Sequence, residues 1–204
     1  MPTTMVDNTV IEDAVRAACR APSLHNSQPW SWLLDGRRLQ LFLDPSRVMS
    51  SDRSARQAVM SCGAALDHLR VAMAAAGWQC HIERFPDPGN PDHLASILFT
   101  AAASVTDQDR RWAEAIWTRH TDRLPFTGPA DWHGVKTSLV AAIGDAPTQL
   151  DILPDDARPQ LVYATRVAES LRLYDIPYQD DLHWWAAPFE AEEGIPLQRS
   201  GFGR

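Results

Sequence analysis

Residues 20–32, RAPSLHNSQPWSW, restrict this chain more than any other stretch. Val10, Ile11, Ala14, Val15, Ala18 and Cys19 recur at helical spacing, which predicts a helix over residues 8–20. Pro22 lacks the N–H that a continuing helix needs, so the helix ends there. Pro22 and Pro29 stiffen the backbone between them, and Ser23, Asn26 and Gln28 carry donors and acceptors on it. Such groups suit a flat heteroaromatic ligand with carbonyls and ring nitrogens, with Trp30 packed beneath as part of the wall. They equally suit a structural loop whose polar side chains cap the neighbouring helix.

The elements after the loop follow from pattern. SWLL and RLQLFL flank Asp35-Gly36, which predicts a hairpin. Residues 51–77 form a long helix, capped by Ser51 or Asp52 and closed by Gly77. Its wide apolar stripe, with small residues around Gly63, predicts a nearly engulfed helix approached closely by another. CHIERF and LASILF read as two strands joined by the turn-rich PDPGNPD.

Beyond residue 105 the pattern partly restarts. DRRWAEAIWTRHTDRLPF is a helix running into a basic turn, and WHGVKTSLVAAIGDAPT is a helix that stops on Ala146-Pro147-Thr148. AACRAPS and AAIGDAPT share a helix followed by Ala-Pro-hydroxyl, which we read as a faint internal duplication. TQLDIL predicts a strand. Residues 155–174 predict a helix with Leu161, Ala164, Val167, Ala168 and Leu171 inward, ahead of the Trp-rich LHWWAAPFEAEEGIP.

Composition removes several classes of function. The 204 residues are 45% hydrophobic, enough for a packed core, and the formal net charge is −7. A nucleic-acid partner calls for a basic face, which this balance opposes. No apolar run is long enough to span a bilayer, and the first residues lack a signal-peptide pattern, so the expected location is cytoplasmic. Cys19, Cys62 and Cys80 are scattered singly and read as buried reduced thiols. The seven histidines show no metal-ligand spacing, and no metal site is expected.

RHTDR is the second candidate constellation. Arg119, Thr121 and Arg123 place two guanidinium groups and a hydroxyl within five residues, a set that can clamp a phosphate. The alternative is a solvated helix end, with arginines complementing the helix dipole.

The loop APSLHNSQPW, the ribbon after it and CGAALDHLRVAMAAAGW together resemble the flavin-dependent nitroreductase family. More narrowly, TDRLPF, ESLRLYD and EGIP are similar to the Acg-type nitroreductases of mycobacteria, in which one chain looks like a fused dimer holding one FMN. The resemblance implies an α+β nitroreductase-like fold, a mixed sheet with a long helical layer. Residues 1–105 would be the first half, and residues 106–204 a partial, truncated second half with a lid segment. The first half keeps the Asn-x-Gln-Pro-Trp loop and the second keeps the arginine motif, so one composite site is implied. Ser23, Asn26, Gln28, Pro29 and Trp30 would line the flavin ring, and Arg119, Thr121 and Arg123 would approach its phosphate.

The implied function is an FMN-binding, NAD(P)H-dependent oxidoreductase passing electrons to a small acceptor, and no residue earns the role of general acid. The alternatives are an FMN-sequestering protein of dormancy or stress without turnover, and a remnant lacking a complete site. The apolar face of the second half predicts self-association.

Overall fold

The computed structural model describes residues 5–122, 127–144 and 148–186, and side chains only as far as residue 183. The chain divides into two units, residues 1–122 with 180–204, and residues 123–179.

In the first unit, α1 (Asn8–Ala18) starts where the Asp7 carboxylate accepts from the Thr9 N–H. It ends just short of Pro22, as the missing donor requires. Strands β1 (Trp30–Asp35) and β2 (Arg38–Leu43) form the expected hairpin. Its two-residue turn is Gly36-Arg37, however, and not Asp35-Gly36, since Asp35 pairs with Arg38. Of the two central residues only Gly36 has positive φ, at 59°, the sign pattern of a type II′ turn.

Helix α2 (Arg56–Ala75) begins four residues later than Asp52, yet Asp52 still caps it. Its buried carboxylate accepts from the N–H groups of Gln57 and Ala58, both at 3.0 Å. Gly77, at φ 85°, closes the helix end as expected. Strands β3 (Trp78–Arg84) and β4 (His93–Ala101) follow, and α3 (Asp107–Thr118) opens on a Thr106–Asp109 capping box.

The sheet order is β1-β2-β4-β3, with every pairing antiparallel. The expected mixed sheet is therefore corrected among the described residues: short reversals join β1 to β2 and β3 to β4, β4 returns beside β2 after α2 and β3, and no parallel pair is present. Leu39 and Leu41 of β2 oppose Ile97 and Ala95 of β4, so alternation sends all four to one face. There they pack with Ile11, Ala14 and Ala18 of α1 and Cys62, Ala65, Leu69 and Met73 of α2.

Helix α2 is half buried, not engulfed. Met60 is 74% exposed, and a Cβ built on Gly63 would meet nothing within 4 Å. The helix packs against the sheet, α1 and α3, and its remaining face is left to solvent.

In the second unit α4 (Trp132–Ile143) and α5 (Arg158–Arg172) are regular helices without a buried residue. Leu161, Val167 and Leu171 are exposed, against the inward face expected for them, because no described element of this unit packs over it. TQLDIL forms no strand; no described strand pairs with it to complete a ladder. The stop at Ala146-Pro147 lies outside the described residues, and α4 itself ends at Gly144 with φ 50°. Helix α6 (Ile176–Ala186) begins in this unit and ends in the first. Within the first unit, the Asp181 carboxylate accepts from the Ser51 N–H at 2.9 Å and the Ser50 hydroxyl at 3.1 Å. No described helix is long and apolar enough to cross a membrane.

Candidate functional site

The loop between α1 and β1 is knitted to its surroundings at nearly every residue. The Ser23 hydroxyl accepts from the Gln28 N–H at 3.0 Å, and the Ser23 carbonyl accepts from the Asn26 N–H at 3.1 Å. Ser61 of α2 donates to the Gln57 carbonyl and accepts from the Leu24 N–H at 3.3 Å. Arg47 donates to the Ser27 carbonyl at 3.3 Å. The Pro29 carbonyl receives the Asp44 N–H at 3.0 Å and the Cys62 thiol at 3.2 Å.

These ties hold three residues other than glycine in the left-handed region, His25 at φ 49°, Asn26 at 59° and Gln28 at 49°. Each such residue costs roughly 1–2 kcal/mol, and persists only where the surroundings impose it. A connector with no further duty would carry glycine at such positions.

The Ser23 hydroxyl serves the loop's own backbone and not the end of α1, which the structural reading assigned to the loop's polar side chains. Pro29 is fully buried and Trp30 is a core residue, so they form the floor under the loop. Asn26 and Gln28 are half-buried at its surface, and the Gln28 amide makes no hydrogen bond to the described residues.

The arginine motif reaches the base of this loop. Arg119, just past the end of α3, donates from Nη2 to the Arg20 carbonyl at 2.7 Å and from Nη1 to the Thr121 hydroxyl at 3.3 Å. Arg20 answers: its guanidinium donates to the Ile116 and Trp117 carbonyls at 3.2 Å each and lies over the Trp117 ring. The dipole-complementing arginine at the end of α3 is thus Arg20, which the sequence reading passed over, and not Arg119. The Nε of Arg119 is buried without a partner. Arg123 lies outside the described residues.

Two polar residues of α2 were also missed. Ser61 supports the loop, and His68 lies near Arg119 and Arg20, whose charges add to burial in holding its imidazole below the usual range. Seven residues apart, the two share one helix face about 10 Å from end to end. A polar residue at i and i+7, with Ala64 and Ala65 between, was the available signal.

No thiol is poised as a nucleophile. Burial pushes Cys62 up to about 12 and Cys80 to about 11, and Cys19 is raised by the same cause. Among the described residues no group of three or more His, Cys, Asp or Glu could hold a metal ion.

A protein of Mycobacterium tuberculosis (strain H37Rv) named "Putative NAD(P)H nitroreductase acg" is 52% identical over 197 residues, 96% of this chain. Over almost its whole length the chain is similar to this nitroreductase-named protein. An uncharacterized protein of the same organism is 45% identical over 192 residues, 92% of the chain. The chain spans 60% and 56% of the lengths of these two relatives. A solved nitroreductase from Desulfovibrio desulfuricans, described as a complex with FMN, is 17% identical with a TM-score of 0.41, covering 62% of this chain and 87% of its own. No family model matches the sequence.

Proposed function

We propose that this chain carries the FMN-contacting loop and arginine motif of a nitroreductase-type, NAD(P)H-dependent flavoprotein. The observation that carries the reading is the bond from Arg119 to the Arg20 carbonyl, which joins the arginine motif to the first residue of the loop.

The residues fit the cofactor in kind. A buried guanidinium Nε without a partner is a donor waiting for an acceptor, and an oxyanion is the acceptor that suits it best. Asn26 and Gln28, held at fixed angles on a tied loop, would offer amide groups to the ring, with Ser23 fixing the loop and Pro29 and Trp30 beneath it. Arg119 and Thr121 would hold the phosphate side, with Arg123 as a further candidate. When bound, FMN supplies hydride acceptance from NAD(P)H and electron delivery to a small acceptor. The chain's part is to bind, orient and shield; the described residues present no general acid for the reaction.

Residues 1–105 and 106–204 are read as the two halves of a fused pseudo-dimer sharing this site, in a cytoplasmic protein that self-associates through the apolar helices of its second half. The homologues' names support the activity, and the strained loop supports its placement. A visible absorption spectrum before and after anaerobic NADPH tests the reading. Flavin bands that bleach are expected. A chain showing no bands after incubation with FMN would end the proposal.

A further inference from the structure

His68 is the one half-buried histidine on α2, and its Nδ1 is buried without a hydrogen-bond partner. The same holds for Nε of Arg119. Val71, one turn on from His68 in α2, packs with Ala17, three residues before Arg20, and with Ile116, three residues before Arg119. The charges of both arginines bear on the imidazole, with the Ala17 carbonyl and Asp67. The packed core beneath is apolar, formed by Ala17, Val71 and Ile116.

Two buried nitrogens without partners, one of them on an arginine that has a second arginine beside it, are an expensive arrangement. Buried polar atoms without partners cost about 1–3 kcal/mol each, and like charges add to that. An oxyanion would satisfy both nitrogens and offset the repulsion at once.

We propose that His68 is a further phosphate ligand, completing with Arg119 and Thr121 an oxyanion site at the base of the loop. This rests on the FMN reading where the oxyanion is the cofactor's phosphate, but the site chemistry is that of any phosphate. The proton balance follows from the ring. A neutral imidazole carries one N–H and one lone pair, whereas the imidazolium donates from both nitrogens. An oxyanion at Nδ1 therefore favours the imidazolium, and its binding raises the proton affinity of the ring. The neighbouring arginines oppose that charge in the free chain, and the bound dianion reverses the balance.

The test is a proton NMR titration of the histidine ring C–H signals in the whole chain. His68 is assigned by the signal missing from His68→Gln. The titration is run alone, with inorganic phosphate, with FMN and with riboflavin. Phosphate and FMN are expected to move the His68 midpoint to higher pH, and riboflavin, which has no phosphate, to leave it in place. His68→Gln should weaken FMN about tenfold and riboflavin hardly at all.

A midpoint that phosphate and FMN leave unmoved, while FMN still binds better than riboflavin, would overturn the role of His68 and spare the flavin reading. A midpoint raised by phosphate in a chain that takes up no flavin would uphold the oxyanion site and remove the flavin reading. Equal shifts with FMN and riboflavin would also overturn the proposal, since the ring and not the phosphate would then be the cause.

Discussion

Arg20 and Arg119 hold each other in place. Arg119 donates to the Arg20 carbonyl at 2.7 Å, while the Arg20 side chain donates to two carbonyls at the end of the helix that Arg119 follows. Two cations are adjacent, yet each is spent on backbone oxygens, so the contact joins two segments nearly a hundred residues apart. The loop that follows Arg20 and the motif that starts at Arg119 cannot move independently while this clasp is closed.

Arg20→Met keeps an unbranched stem but removes both helix-end donations and the guanidinium over Trp117. We expect a loss of about 1–2 kcal/mol, read as a lower urea midpoint at unchanged slope. FMN affinity should fall with it, because the backbone carbonyl that anchors Arg119 is then held less firmly. A variant as stable as the parent would show that the clasp is ornamental to the fold.

Asn26→Ala with Gln28→Ala should weaken FMN binding with an unchanged far-UV spectrum. Gln28→Gly separates conformation from contact: glycine accepts φ 49° without penalty, so stability should rise by up to about 1 kcal/mol while FMN binding still weakens. Fluorescence titration with FMN and thermal unfolding report the two effects. If Gln28→Gly bound FMN as the parent does, the Gln28 amide would have no part in the site.

Local chemistry made much of this legible in the sequence. Pro22 ended α1, Gly77 closed α2, and the two-residue turn was misplaced by only one position, since Asp-Gly and Gly-Arg both permit a hairpin there. What stayed hidden was non-local. Nothing in TQLDIL says that no neighbouring strand will meet it, and nothing in the face of Leu161, Val167 and Leu171 says that it will be uncovered. An apolar stripe records a preference for burial, while burial itself needs a partner. Arg20, Ser61 and His68 were missed for the same reason, because their roles exist only once α1, α2 and α3 are packed together.

Asp52 supports α2 from four residues outside it, accepting two N–H groups with one carboxylate oxygen. Asp52→Ala removes both partners of a buried helix start, so the loss should reach about 1–2 kcal/mol by urea denaturation. Asp52→Asn keeps an acceptor and should recover about half. Equal losses for the two variants would mean that charge, and not the hydrogen bonds, does the capping.

The thiols offer a test of the core that needs no cofactor. Burial raises Cys62 from near 9 to about 12 and Cys80 to about 11. Only the thiolate alkylates, so at pH 8 Cys62 should react orders of magnitude more slowly than an ordinary exposed cysteine, of which about a tenth is ionised. Iodoacetamide at pH 8, read by peptide mass spectrometry, should leave Cys62 unmodified in the native chain and label it fully in urea. The same shifts fix the sign of the alkaline response. The protonated thiol is favoured by folding, so this contribution is intact below pH about 9 and is lost as pH climbs towards about 11–12. Cys62→Ala should therefore flatten part of the alkaline fall in stability. Rapid labelling of Cys62 in a chain that remains folded would mean that α2 opens from the sheet, and with it the floor beneath Pro29 and the loop.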